Sequence, residues 1–155
     1  MLSSVVDPEV PVLSVIDLGI VRAIKLSGKD NKDVEIVITP TYSGCPAMDV
    51  IRINIRMALV GQGFKNIKIT TVLSPAWTTD WMSEEGKQKL KEYGIAPPTP
   101  RPQVCNMDLF AEEAIPCPRC SSYNTRRISE FGSTACKALY QCNDCHEPFD
   151  YFKCH

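Results

Sequence analysis

The chain has almost no net charge and no long apolar run. Its formal charge is −1 at pH 7, so no basic field is available to collect nucleic acid or anionic lipid. No apolar stretch approaches the roughly 20 residues of a membrane span. The first residues also lack the basic region and apolar core of a signal peptide. These absences predict a cytoplasmic protein that binds neither nucleic acid nor a membrane.

Residues for general-base catalysis and nucleotide binding are scarce as well. The chain has two histidines, His146 and His155, both near its C-terminus. Neither is positioned by sequence to activate a nucleophile elsewhere, and no Gly-rich phosphate loop is present. An enzyme that uses Cys45 as nucleophile is therefore the weakest of three functional hypotheses, and we predict that the chain is not itself catalytic.

What the first half does contain is the pattern of an α+β fold. Two β-branched runs, 20–27 and 34–39, flank a short polar turn, as in a β-hairpin. Residues 47–60 have helical periodicity, and residues 67–72 alternate like a third strand. The order β-β-α-β predicts a small two-layer domain with one helix over a three-stranded sheet.

The predicted helix has an unusually broad apolar surface. One face carries Met48, Ile51, Ile55 and Leu59. Four more apolar residues are expected to widen this apolar stripe: Val50, Ile53, Met57 and Val60.

Cys45 lies where the second strand gives way to this helix. Gly44 permits a sharp turn, and Pro46 suits the first helical position. A thiol beside a helix N-terminus faces unpaired N–H groups and the positive end of the helix dipole, which favour the thiolate. A thiolate can attack electrophiles or bind soft metals. The position alone leaves open the alternative of a buried cysteine that acts as a small apolar residue.

Trp77 and Trp81 fall in an irregular segment after the third strand. The segment is expected to be a loop that folds both rings over the sheet, since large aromatic side chains are usually buried. A lid or a partner surface near Cys45 is the alternative.

A proline-rich stretch separates two regions of different composition. Four prolines lie between positions 97 and 102, which favours a semi-rigid extended spacer. We predict a first domain over 1–94, a linker over 95–104 and a second domain over 105–155.

The second region contains two Cys-x-x-Cys pairs. They are Cys117 with Cys120 and Cys142 with Cys145, separated by 21 residues. Four thiolates satisfy Zn²⁺ tetrahedrally and close the site, so the pattern predicts a structural zinc ribbon. Disulfides and an iron–sulfur cluster are the alternatives.

Three further cysteines are secondary candidates. Cys136, between the two pairs, is either a core thiol or a second reactive site. Cys105 and Cys154 flank the ribbon and could come together. The region 105–155 has two more acidic than basic residues, which disfavours a phosphate-tracking surface.

Several motifs resemble known families. The first domain resembles the iron–sulfur assembly domain once called DUF59, found in SufT-type proteins, through Asp7-Pro8-Glu9-Val10-Pro11, Asp17-Leu18-Gly19, Thr41-x-x-Gly44-Cys45-Pro46 and Pro75-x-Trp77. The linker, the cysteine pairs and the segments 131–140 and 147–154 resemble the PaaD (or PaaJ) family, the D subunits of the phenylacetyl-CoA epoxidase system.

This resemblance implies an accessory or maturation factor in aerobic phenylacetate catabolism. It implies that Cys45 assists the assembly of an iron–sulfur or iron centre, with Asp17 and Thr41 in supporting positions. The implied cofactors are zinc in the ribbon and a transient cluster or iron at Cys45. The implied partners are the oxygenase and reductase subunits, and a homodimer could share ligands. A non-catalytic scaffold within the oxygenase complex is the second hypothesis.

Overall fold

The computed structural model describes residues 1–28, 32–99 and 115–153. Contacts within the chain divide it into two compact units. The first is Met1–Gly86, and the second begins at Lys87. Each unit is described by itself.

The first unit contains a three-stranded sheet and one long helix. The strands are β1 (Val21–Ser27), β2 (Asp33–Ile38) and β3 (Asn66–Thr71), in the spatial order β1-β2-β3. β1 and β2 are antiparallel, whereas β2 and β3 are parallel and are joined by helix α1 (Ala47–Val60). A parallel connection needs such a crossover. The predicted β-β-α-β order and α+β class are confirmed.

The core of this unit lies between α1 and one face of the sheet. Val34 and Ile36 of β2 are buried, as are the residues at every fourth position of α1: Ala47, Ile51, Ile55 and Leu59. The opposite face of the sheet is polar, because Glu35 forms ion pairs with Lys25 and Lys68 on the two neighbouring strands. The unit therefore has two layers, and the face of the sheet opposite α1 is exposed to solvent.

The four residues that widen the apolar stripe of α1 lie outside the core. Val50, Ile53, Met57 and Val60 are between 44% and 67% exposed. They lie on the side of the helix that the sheet does not cover. No helix in the described ranges combines the length and hydropathy needed to cross a membrane.

The end of the first unit returns to a turn near its beginning. Trp77 is buried and its Nε1 donates to the Leu18 carbonyl over 2.8 Å. The Arg22 guanidinium lies 3.5 Å from the centre of the Trp81 ring. At Gly19, whose φ is +66°, a Cβ atom would meet the Trp81 carbonyl oxygen at 2.0 Å, so this close approach requires glycine. The tryptophan segment therefore packs on the 17–19 turn.

Helix α2 (Glu84–Glu92) starts at the limit between the units. Ser83 caps it, since its Oγ accepts a hydrogen bond from the Gly86 N–H at 2.9 Å. Two short 3₁₀ turns, Leu2–Ser4 and Thr79–Trp81, complete the first unit.

The second unit is built on a four-stranded sheet. Its strands are β4 (Ile95–Ala96), β5 (Thr125–Ser129), β6 (Lys137–Cys142) and β7 (Pro148–Phe152), in the order β4-β7-β6-β5. Its apolar core includes Ile115, Tyr140 and Tyr151. β4 lies in the stretch predicted to be a linker and pairs with β7.

Candidate thiol site and metal centre

Cys45 lies immediately before α1. Pro46 is the N-cap residue with φ −67°, so Cys45 precedes the cap. The Cys45 N–H donates to the Tyr42 carbonyl at 3.3 Å, and the Met48 N–H donates to the Cys45 carbonyl at 3.2 Å. Gly44 adopts φ +81°, a conformation that favours glycine. This tight turn presents a half-buried thiol at the start of the helix.

The pKa of the Cys45 thiol is raised above its usual value. Burial is the main cause, and the charges of Glu9 and Asp7 add to it. Hydrogen bonds from the Tyr42 side chain and the Ala47 backbone act in the opposite direction without cancelling the rise. The Ala47 backbone favours the thiolate, as expected for a helix terminus, but burial outweighs it and the pKa lies above its usual value.

Asp7 and Glu9 are the electrostatic neighbours that sequence reasoning missed as site residues. Asp7 is buried, and its Oδ1 accepts hydrogen bonds from the Glu9 and Val10 N–H groups at 2.6 and 3.1 Å. This capping turn is readable from the sequence, since aspartate often bonds the backbone two residues ahead. Its proximity to Cys45 cannot be predicted from the sequence, because 35 or more residues of chain intervene.

The Asp17 carboxylate is buried and hydrogen-bonded in the first unit. Asp17 is 5% exposed, and its carboxylate accepts hydrogen bonds from the Ser14 N–H, the Ser14 hydroxyl and the Ser83 hydroxyl over 2.7–3.2 Å. These bonds join the 14–17 turn to the cap of α2. The contacts support a positioning role within the fold.

Thr41 lies in the loop that leads to Cys45. With Tyr42 and Trp77 it lines a groove of about 400 Å³. Thr39 lines the same groove, is 1% exposed, and carries the one buried side-chain oxygen that lacks a hydrogen-bond partner in the described part of the chain. The Trp77 ring is thus both a packing residue and one wall of a groove beside the thiol loop.

The four paired cysteines converge in the second unit. The sulfurs of Cys117, Cys120, Cys142 and Cys145 all lie within 4.8 Å of one another. Cys117 Sγ is 3.7 Å from Cys145 Sγ, and Cys120 Sγ is 3.6 Å from Cys142 Sγ. A tetrahedral zinc site with bonds of about 2.3 Å has sulfur–sulfur edges of about 3.8 Å. The donor set and its spacing therefore fit a four-thiolate metal ion.

The pKa values of these thiols also indicate that the group needs a bound cation. The Cys145 N–H hydrogen bond lowers the pKa of Cys142 to about 7. A hydrogen bond from the Ser122 backbone lowers the pKa of Cys120. Burial and the neighbouring thiols have the larger, opposite effect and raise this pKa to about 12. Four thiolates cannot form together here without a positive charge between them.

The remaining cysteines lie apart from this group. Cys136 is 4% exposed and its Sγ lies 3.0 Å from the Thr134 hydroxyl, as expected for a core thiol. Cys105 and Cys154 lie outside the described residues. In the described ranges, no other set of three or more His, Cys, Asp or Glu residues is gathered for a metal, so Cys45 has no ligand set of this kind.

Comparison with known proteins matches both units. Residues 1–70 match the family model for an iron–sulfur cluster assembly protein, and residues 101–153 match the PaaD zinc beta ribbon domain. A protein of Escherichia coli (strain K12), provisionally named as the D subunit of 1,2-phenylacetyl-CoA epoxidase, is 50% identical over 99% of this chain and 89% of its own length. The chain belongs to the PaaD family.

The first unit of this PaaD chain is also similar to proteins without that name. An Fe-S protein maturation auxiliary factor of Porphyromonas gingivalis (strain ATCC BAA-308 / W83) is 40% identical over 58% of this chain and 84% of its own length. A solved DUF59 domain of Bacillus anthracis is 27% identical, covers 57% of this chain and 83% of its own, and gives a TM-score of 0.53. The resemblance stated from sequence is confirmed.

Proposed function

We propose that this protein is an accessory factor of phenylacetyl-CoA epoxidase that assists the assembly of an iron or iron–sulfur centre through Cys45. The accessory role is supported by the E. coli relative, whose name makes it a subunit of that epoxidase. The maturation role is supported by the P. gingivalis relative, named for Fe-S protein maturation, and by the family model over the first unit.

The observation that carries the proposal is the isolation of the Cys45 thiol. It is half-buried at a helix start, and in the described ranges it belongs to no gathered set of metal ligands. One thiolate cannot hold an iron–sulfur cluster, since four cysteine thiolates bind the usual [2Fe–2S] and [4Fe–4S] clusters. Cys45 therefore binds its cargo with ligands from a client protein or from a second copy, and releases it easily.

The raised pKa fits this transient role. A protonated Cys45 gives up its proton when the metal–sulfur bond forms, and regains one when the client takes the metal. The carboxylates of Asp7 and Glu9, which raise the pKa, would favour a cation at the same place.

Zinc is proposed as the resident metal of the second unit. Its ligands would be Cys117, Cys120, Cys142 and Cys145, and because four thiolates close the coordination, the site would be structural. The site would supply folding energy to a unit with a small core.

A non-catalytic scaffold is the second candidate. It is favoured by the name of the E. coli relative as an epoxidase subunit. It predicts tight association with the oxygenase and reductase subunits and no dependence on the Cys45 thiol.

Anaerobic purification of the wild type beside Cys45→Ser tests the proposal. Metal and sulfide analysis and epoxidase activity of the co-expressed complex are the measurements. We expect iron or client maturation to be lost in Cys45→Ser while one zinc per chain remains. The conservative control Cys136→Ser should keep both. Full epoxidase activity in Cys45→Ser would refute the maturation role and leave the scaffold.

A further inference from the structure

Helix α1 has a second apolar face that the core does not use. Its first face, at Ile51, Ile55 and Leu59, is at most 1% exposed. The second face, here called the α1 stripe, consists of Val50, Ile53, Met57 and Val60, which are 44%, 58%, 67% and 59% exposed. Their spacing of three, four and three residues places them in one line along the helix, as in the seam of paired helices. A contiguous exposed apolar line of this kind marks an interaction surface.

The charged residues along the α1 stripe are mostly basic. Arg52 and Arg56 are exposed and lie on one border of it. The single acid of the helix, Asp49, is 3.8 Å from the Arg52 guanidinium. Arg56 has no acidic partner among the described residues, so this border offers an unneutralised positive charge.

We propose that the α1 stripe is the docking surface for an amphipathic helix of another subunit of the epoxidase, one whose apolar face is bordered by acidic side chains. Pairing of two amphipathic helices along an apolar seam is a recurring mode of recognition, and opposite charge on the border fixes the partner and its register. The inference rests on the proposed membership of the epoxidase complex.

A second copy of this chain fits the α1 stripe less well. In a pair of identical chains, the two arginines and one aspartate of one α1 would face the same three residues of the other. Asp49 is already engaged with Arg52, so self-pairing would leave Arg56 without an acidic partner and would face like charges. An acidic partner supplies what the second copy lacks.

The position of the α1 stripe connects docking to the thiol. Val50 is the fourth residue of α1, and Cys45 lies two residues before the helix begins. A partner helix that extends past the N-terminus of α1 can therefore reach Cys45, and its own ligands can complete the site there.

The first experiment co-expresses the full chain with the other epoxidase subunits and measures co-purification. Ile53→Glu combined with Met57→Glu should reduce recovery of the partner at least tenfold, since two charges would be buried at the contact. The matched control is Ile128→Glu on β5, where the same residue type is 51% exposed. Circular dichroism and melting should show both variants folded. Wild-type recovery with the double variant would overturn the proposal.

A photo-crosslinking amino acid at position 57 identifies the occupant. An adduct with an acidic amphipathic helix of another epoxidase subunit is the expected result. An adduct with a second copy, or with a surface that lacks acidic residues, would overturn the proposal. Arg52→Glu with Arg56→Glu should weaken co-purification and abolish its sensitivity to salt.

The Cys45→Ser variant separates this inference from the proposed function. It should co-purify like the wild type whether or not it supports maturation. If it is fully active while the α1 stripe variants fail to bind, the maturation role is wrong and the docking surface stands. If the stripe variants bind normally while Cys45→Ser loses maturation, the docking surface alone is wrong.

Discussion

The two cysteine sites of this chain differ in how many ligands the fold gathers around them. In the second unit, four sulfurs lie within 4.8 Å of one another, with Cys117 and Cys142 buried in the core. In the first unit, Cys45 is a half-buried thiol at a helix start, with carboxylates in its electrostatic environment. The first arrangement offers a metal a closed set of four ligands. Under the proposed function, the second would share a metal, because its coordination must be completed from outside.

The largest effect is expected from breaking the closed site. Cys142→Ser removes one of the four thiolates, and the zinc affinity should fall by more than about 100-fold, since loss of outer-shell partners alone costs 10- to 100-fold. The ribbon should then lose its fixed structure. Zinc content and near-ultraviolet circular dichroism measure this. Cys45→Ser, the matched control, should keep one zinc and an unchanged melting temperature; full zinc in Cys142→Ser would contradict the assignment.

The second largest effect is expected from low pH, which should weaken zinc binding at the four-cysteine site. Zinc needs all four cysteines as thiolates, and the pKa values of Cys120 and Cys145 are raised without a cation. Zinc binding therefore releases protons, and its affinity should fall as the pH falls, with release complete by about pH 5. A chromophoric chelator titration between pH 8 and 4 measures this. An affinity that is constant over that range would show that the thiols are not the ligands.

Alkylation should distinguish Cys45 from the ribbon cysteines in the zinc-loaded protein. Iodoacetamide should modify Cys45 well before the four metal-bound sulfurs. Because its pKa is raised, Cys45 has a smaller thiolate fraction at pH 7.5 than an unstructured cysteine, and it should react several-fold more slowly than a cysteine peptide. Peptide-level mass spectrometry follows each site. If Cys45 were alkylated faster than the cysteine peptide, the effect of the helix terminus on its pKa would be larger than the effect of burial.

The smallest effect is expected from one neighbouring charge. Glu9→Gln removes a negative charge that raises the pKa of Cys45, so the pKa should fall and alkylation should accelerate by about twofold, as for a partly screened charge. The same substitution at Glu130, in the other unit, is the control and should leave the Cys45 rate unchanged. Slower alkylation of Cys45 in Glu9→Gln would show that Glu9 lowers the pKa of Cys45 and does not raise it.

Most of the fold was within reach of the sequence because its signals are local. The alternation of apolar residues in the strands, the helical period of 47–60 and the two Cys-x-x-Cys pairs each depend on neighbours a few residues apart. The two-residue strand β4 was missed because nothing in Ile95 and Ala96 themselves shows that they pair with residues 150 and 151.

The candidate site was harder to predict because its properties depend on distant contacts. The position of Cys45 before a helix is local, whereas its desolvation and the charges of Asp7 and Glu9 are tertiary effects. The exposure of the α1 stripe was not predicted for a related reason. Periodicity shows which residues share a face, but it does not show whether that face meets the core or solvent.

The contacts between the 14–19 turn and the 77–86 segment impose an order on synthesis. Asp17 accepts from the Ser83 hydroxyl and its carbonyl accepts from the Ser83 N–H at 2.9 Å, while Gly19 lies against Trp81. A chain emerging from the ribosome can form the local bonds of this turn early, but the bonds from Ser83 must wait until residue 83 has left the exit tunnel. The first unit is therefore completed only when its last segment arrives.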